Sequence, residues 1–160
     1  MTCTTGIGYD SHRFEPGRRL ILGGIEIEHE LGLAGHSDAD VLTHAIIDAL
    51  LGAAGMGDIG EHFPDTDEQN KDADSICLLA DVVVLLRDAG FEPVNVDVTV
   101  LMERPKLGPY RTAIRRQIGV TVHLPEERVN VKATTGEGMG FVGRGEGVAA
   151  LAVASLRRAA

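Results

Sequence analysis

From Val94 to Met102 every second residue is apolar: Val94, Val96, Val98, Val100 and Met102, separated by Asn95, Asp97 and Thr99. Side chains alternate across a strand, so this stretch predicts a β-strand with one dry face and one wet face. Two other stretches repeat at helical spacing. Val41, Ala45, Ile46, Ala49, Leu50 and Ala53 form one apolar stripe, and Leu78, Leu79, Val82, Leu85, Leu86 and Ala89 form another. Strands mixed with helices set the class as α+β (α/β mixed): a single domain with a mixed β-sheet covered by helices.

Around these elements the punctuation is informative. A short strand is expected from Ile7 to about His12. Leu20 and Leu22, then Ile25 and Ile27, flank a Gly23-Gly24 turn and read as a hairpin. Ser37 and Asp40 resemble a capping box before the first helix, which Gly55 and Gly57 stop. The second helix starts near Ser75 and ends at Gly90. A short helix near Tyr110–Ile118 and a strand at Val129–Thr134 follow. The closing VAALAVASLRR fits helix and strand equally by periodicity. The polar segment 57–75, punctuated by Gly and Pro, is long for a loop in a small domain, and such loops are often functional.

The chain has 160 residues, which suits one domain, and with 4% aromatic content its core must be aliphatic. A net charge of −9 argues against nucleic acid and against an anionic membrane surface. Cys3, in an expected frayed start, and Cys77, in a helical pattern, make no disulfide framework. The opening MTCTTGIGYD is not a secretory leader, and no apolar run is long enough to span a bilayer. A cytoplasmic protein is expected.

Asp10 and His12 are two apart on an expected strand and so project together. A carboxylate and an imidazole are good ligands for zinc and similar ions. His44, two turns into the first helix, is a candidate third ligand, and Asp48 lies one turn further on the same face. The alternative is that Asp10 caps a turn and the histidines are surface residues. His36 and Ser37 stand where the helix begins, where N–H groups favour an anion, although Ser37 could simply be the cap. The segment KATTGEG, 132–138, offers Thr134, Thr135 and Glu137 on glycine-rich backbone, but by itself reads as a plain turn. His29, His62 and His123 have no evident partners, and neither cysteine has a matched base.

Six segments occur in one order: GYDSHRF (8–14), GHSDAD (35–40), GDIGEHFPDTD (57–67), RPKL (104–107), VNVKATT (129–135) and GRGEG (143–147). Together they resemble the 2-C-methyl-D-erythritol 2,4-cyclodiphosphate synthases of the non-mevalonate isoprenoid pathway, over nearly the whole chain. The resemblance implies that Asp10, His12 and His44 hold a zinc-like ion. It implies that Glu137 binds a second cation, magnesium or manganese, on the substrate diphosphate. His36 and Thr135 match positions that stabilise the transition state. Asp10, His12, Ser37, Asp58, Gly60, Phe63, Asp65, Thr134, Phe141 and Arg144 match substrate-contacting positions. Met102 to Gly108, with Lys106 and Leu107, match the cytidine pocket. The implied product is a cyclic diphosphate with release of CMP, and the implied assembly is a homotrimer with active sites between subunits. A metal-dependent phosphohydrolase and a non-catalytic nucleotide-binding module are the alternatives. Gly136 and Gly138 depart from bulkier residues in the family and are expected to loosen their loop.

Overall fold

The computed structural model describes residues 2–159. In chain order the elements are β1 (Cys3–Pro16), β2 (Leu20–Leu22), β3 (Ile25–Ile27), β4 (Leu31–Leu33), α1 (Val41–Ala54), α2 (Ile59–His62) and α3 (Ser75–Asp88). Then come β5 (Phe91–Leu101), α4 (Arg111–Val122), β6 (Val129–Thr134), α5 (Gly140–Gly143) and β7 (Gly147–Arg158). Five strands form one sheet in the order β4-β1-β7-β5-β6, and β2 and β3 form a separate hairpin. Among the described residues only β5 and β6 run parallel, and α4 makes the crossover that such a pair needs. The sheet is mixed and the fold α+β, as expected.

The alternation in β5 works as its sequence predicts. Val96, Val98 and Val100 are fully buried, while Asn95, Asp97 and Thr99 lie on the wetter side. The closing segment, ambiguous by periodicity, is a strand: β7 pairs antiparallel with β1 on one side and β5 on the other. Val148, Ala150, Ala152, Ala154 and Leu156 are buried beneath the helices, whereas Leu151 and Val153 face outward and stay exposed. Both faces of this strand are apolar, which is why its pattern does not alternate in polarity. Opposite them on β1, Ile7 pairs with Val153 and Tyr9 with Leu151, giving an apolar patch on the face away from the helices.

Three expectations need correction. β1 begins at Cys3, well before Ile7, so Cys3 belongs to a strand and not to a frayed end. The cap of α1 is Asp40, not Ser37. Its buried carboxylate accepts from Thr43 N at 3.0 Å, Thr43 Oγ1 at 2.8 Å, Gly23 N at 2.9 Å and Gly24 N at 2.8 Å. Both turn glycines have positive φ, 60° and 73°, so the hairpin turn aims its two N–H groups at the helix start. Finally, the glycine loop near 136–145 is tight at Gly136 and Gly143, while Gly138 has open space around it. A Cβ on Gly143 would stand 2.3 Å from the Gly138 carbonyl carbon, and one on Gly136 would stand 2.7 Å from Gly143 N. Among the described residues no helix is long and apolar enough to cross a membrane.

Helix α1 lies across β1 and β7 and is itself covered by α3. It sits on β1 at Gly6 and Gly8. A Cβ on Gly8 would come 1.9 Å from the Ala45 carbonyl oxygen. Backbone therefore touches backbone, and α1 is seated by the absence of two side chains. Gly8→Ala should cost about 2–3 kcal/mol by overpacking, lowering Tm by roughly 5–10 °C. Gly108→Ala, with open space around its Cβ, should leave Tm nearly unchanged. Thermal unfolding of both variants checks this, and equal Tm values would mean that α1 and β1 are not in contact.

Candidate metal centre and active-site cleft

Where the Gly6-Gly8 register continues along β1, the next residues on the same side are Asp10 and His12. Helix α1, held down at Ala45, presents the preceding residue His44 to them. The three side chains meet. Asp10 Oδ2 is 2.8 Å from His12 Nε2 and 3.0 Å from His44 Nδ1, and the two ring nitrogens are 3.3 Å apart. These ligand atoms all lie within 4.8 Å of one another and could hold a metal ion. The reading of Asp10 as a turn cap with unconnected surface histidines is therefore overturned.

The outer atoms of both rings are also engaged. His12 Nδ1 donates to the Ala34 carbonyl at 2.7 Å. A carbonyl only accepts, so Nδ1 carries a proton and Nε2 is the nitrogen turned inward, towards the Asp10 carboxylate. His44 Nε2 meets Ser75 Oγ at 2.8 Å and Ser37 Oγ at 3.2 Å. Burial opposes ionisation of Asp10, yet hydrogen bonds and charge from His12 and His44 hold its pKa down at about 2. Burial likewise disfavours charge on His12, but the Asp10 carboxylate and the Ala34 carbonyl raise its pKa above 6.5. The two shifts are reciprocal: the carboxylate favours charge on the His12 ring, and the rings favour charge on the carboxylate.

A cleft of about 370 Å³ opens over this cluster. His36 and Ser37 line it from the loop before α1. Gly60, Phe63 and Asp65 line it from the long polar loop. That loop is ordered by its own hydrogen bonds. Asp58 caps α2 through Glu61 N at 3.0 Å, and His36 Nε2 donates to the Asp67 carbonyl at 3.4 Å. Asp48 does not join the metal cluster. Its Oδ1 accepts from Ile59 N at 2.8 Å and ties the start of α2 to α1. Burial, with the charges of Asp58 and Asp10 nearby, pushes its carboxyl pKa up. His62, expected to lack a partner, donates to the Met56 carbonyl at 2.8 Å.

The remaining predicted residues stand elsewhere in the chain. Met102 N donates to the Thr134 carbonyl at 2.9 Å, and Gly136 N donates to Glu103 Oε1 at 2.6 Å, so 102–108 and 134–137 form one group at the ends of β5 and β6. Lys106 and Glu137 are exposed there, and Thr135 Oγ1 donates to Glu137 Oε1 at 3.3 Å. Met102 and Leu107 are buried, so backbone is what they offer a ligand. Phe141 and Arg144 lie near Gly145, where a pocket bounded by Phe141 shares His12 with the first cleft. Sequence reasoning missed Ser75 and Asp38. A serine opening an apolar helical run reads as a helix start, and nothing in that pattern signals a histidine partner.

The YgbB family profile matches residues 3–157. The 2-C-methyl-D-erythritol 2,4-cyclodiphosphate synthase of Salinibacter ruber is 58% identical over 154 residues, which is 96% of this chain and 98% of the relative. That of Symbiobacterium thermophilum is 60% identical over 149 residues, 93% of this chain and 95% of the relative. A solved structure of a 2C-methyl-D-erythritol-2,4-cyclodiphosphate synthase in its CDP-bound form superposes with a TM-score of 0.88 at 38% identity, covering 96% of this chain and 99% of that one. Sequence, backbone course and length agree from end to end, and the chain belongs to the YgbB family.

Proposed function

We propose that this enzyme closes 4-diphosphocytidyl-2-C-methyl-D-erythritol 2-phosphate into 2-C-methyl-D-erythritol 2,4-cyclodiphosphate. An oxygen of the substrate's own 2-phosphate bonds to the β-phosphorus, the bond from that phosphorus to the bridging oxygen breaks, and CMP leaves with the electron pair. The convergence of Asp10, His12 and His44 is the observation that carries this reading. One carboxylate and two imidazoles are a donor set suited to a zinc-like ion with a position left open for substrate. Glu137 is assigned to a magnesium or manganese ion. Bound there, the two cations supply the positive charge that crowded phosphoryl oxygens need.

The chain's own groups do the positioning. His36 and Thr135 are assigned to the charge that develops on the transferring phosphoryl group, and the Ser37 hydroxyl to hold a phosphate oxygen. Asp58, Gly60, Phe63 and Asp65 enclose the erythritol end and exclude water from the β-phosphorus. Lys106 and the backbone of 102–108 receive the cytidine, in keeping with the CDP held by the related structure. Phe141 and Arg144 complete the substrate-contacting set. No nucleophilic side chain is required, because orientation of the intramolecular attack supplies on the order of 7–11 kcal/mol.

A homotrimer is part of the proposal. Within one chain the 102–108 and 134–137 group does not line the metal-site cleft, so a neighbouring copy is assigned to bring it there. Ile7, Tyr9, Leu151 and Val153 offer an exposed apolar sheet face for such contact. We assign the protein to the cytoplasm, which the free thiols of Cys3 and Cys77 support.

Incubation with substrate, zinc and magnesium in ¹⁸O-water, followed by mass spectrometry, should give CMP and a cyclic product free of solvent oxygen. A labelled linear product would make the protein a phosphohydrolase, and bound CMP without turnover a binding module. His44→Ala should fold, lose zinc, and lose CMP release by more than about a hundredfold, beyond the loss typical of an outer-shell partner. Protons must also compete with the metal. His12 has to release its proton to bind, and its metal-free pKa is raised above 6.5, whereas Asp10 at about 2 stays ionised. Zinc affinity measured by calorimetry should therefore weaken by up to about tenfold per unit as pH falls through the raised His12 pKa, a loss already under way at pH about 6.5. Affinity flat between pH about 7.5 and 5.5 would contradict that coupling.

A further inference from the structure

Residues 35–37, which bring His36 and Ser37 to the cleft, are gripped from behind by one side chain. Arg18 is half-buried in the turn between β1 and β2. Its Nη1 donates to the Gly35 carbonyl at 2.8 Å, and its Nη2 donates to the Ser37 carbonyl at 2.5 Å. One planar guanidinium therefore spans the two carbonyls on either side of His36. The His36 carbonyl itself accepts from Asp72 N at 2.8 Å, and Asp72 has a left-handed φ of 54°. Three successive carbonyls are thus engaged, two of them by the same group. The fork also has a fixed origin. A Cβ on Gly32 would stand 2.4 Å from the Arg18 carbonyl oxygen, so the Arg18 backbone rests directly on β4. The next residue is a contrast: Arg19 is exposed and pairs with Glu26 at 3.3 Å, an ion pair of the kind that contributes little.

We propose that Arg18 is a positioning residue whose fork holds residues 35–37 in the course that keeps the His36 imidazole and the Ser37 hydroxyl in the cleft. This rests on the reading of those two side chains as groups that meet the transferring phosphoryl. A guanidinium suits the task in a way that an ammonium does not. Charged N–H donors make strong hydrogen bonds, and two of them at fixed spacing in one plane define both position and orientation. An ammonium is a point charge that secures one carbonyl while the other swings. Gly35 is exposed, so water can donate to carbonyls that lose Arg18. The fold then survives, and what is lost is the placing of His36. The rival role, plain attraction of phosphate, needs only the positive charge, which lysine shares.

Arg18→Gln, Arg18→Lys and, as a control, Arg19→Gln test the proposal in the full chain. With zinc and magnesium present, kcat for CMP release should fall roughly tenfold to a hundredfold in both Arg18 variants, the scale of a misplaced group. KM and zinc affinity should stay near wild type, and Arg19→Gln should match wild type throughout. Nitrogen-15 relaxation of the His36 and Ser37 amides should show added motion in both Arg18 variants and none in Arg19→Gln. Wild-type kcat in Arg18→Lys overturns the proposal in favour of charge alone. A lowered Tm with kcat and amide relaxation intact marks a purely structural role and overturns it too, as does loss of zinc binding. Unchanged amide relaxation in Arg18→Gln overturns it whatever the kinetics. Wild-type protein that releases no CMP would instead overturn the cyclase reading, with the relaxation comparison still deciding whether Arg18 holds the segment.

Discussion

Everything at the metal centre depends on how closely α1 approaches β1. Most helices stand off a sheet by the thickness of the side chains between them. Here Gly6 and Gly8 remove those side chains, and the Ala45 carbonyl occupies the space where a Cβ would be. The helix is thereby fixed in height and in rotation. One residue before Ala45 comes His44, and two residues beyond Gly8 comes Asp10. Strand periodicity adds His12 on the same side. Two glycines followed by Asp-x-His thus act as one device: the first part seats the helix, and the second meets what the helix carries.

Asp40 governs the other approach to the site. A buried carboxylate is costly unless its lone pairs are filled, and burial does push its pKa up. Its partners come from two elements distant in the chain, the Gly23-Gly24 turn and the first turn of α1. That double use sets the course of residues 34–40 between β4 and α1. His36 and Ser37 are consequently delivered to the cleft, and the Ala34 carbonyl to His12. The hairpin, which carries none of the predicted site residues, earns its place through two backbone N–H groups.

How much of this was legible follows from which signals are local. β5, α1 and α3 were visible because period 2 and period 3.6 are properties of a short window. Asp10 and His12 shared a face for the same reason. Joining His44 to them required knowing that α1 crosses β1, which spacing alone does not contain, and the family resemblance supplied it. β4 and the four-residue helices α2 and α5 are too short to show any period. Ser37 looked like a cap because serine commonly is one, whereas the buried Asp40 carboxylate also answered the hairpin and so took the position. β7 could not be classified because both its faces are apolar, and that ambiguity was itself the trace of an outward patch at Leu151 and Val153. Ser75 and Asp38 left no trace because His44 meets Ser75 across 31 residues of chain, and Ser75 meets Asp38 across 37.

The charge of the chain bears on the need for a cation. A net −9 protein has to receive a substrate rich in phosphate. The cleft adds carboxylates of its own, with Asp10 and Asp65 in its wall and Asp48 behind. Lys106 and Arg144 stand outside this cleft in the single chain, and Arg18 reaches it only from behind, donating to the Gly35 and Ser37 carbonyls. Without a cation the field there repels phosphate, and like charges brought close in a partly desolvated site repel more strongly than in water. The same carboxylate that repels a phosphate attracts a metal, and its low pKa keeps it ready to do so at any ordinary pH. Acidity and phosphate chemistry are compatible once a cation stands between them. A divalent cation seated between Asp10, His12 and His44 would offset that negative charge where the phosphates arrive.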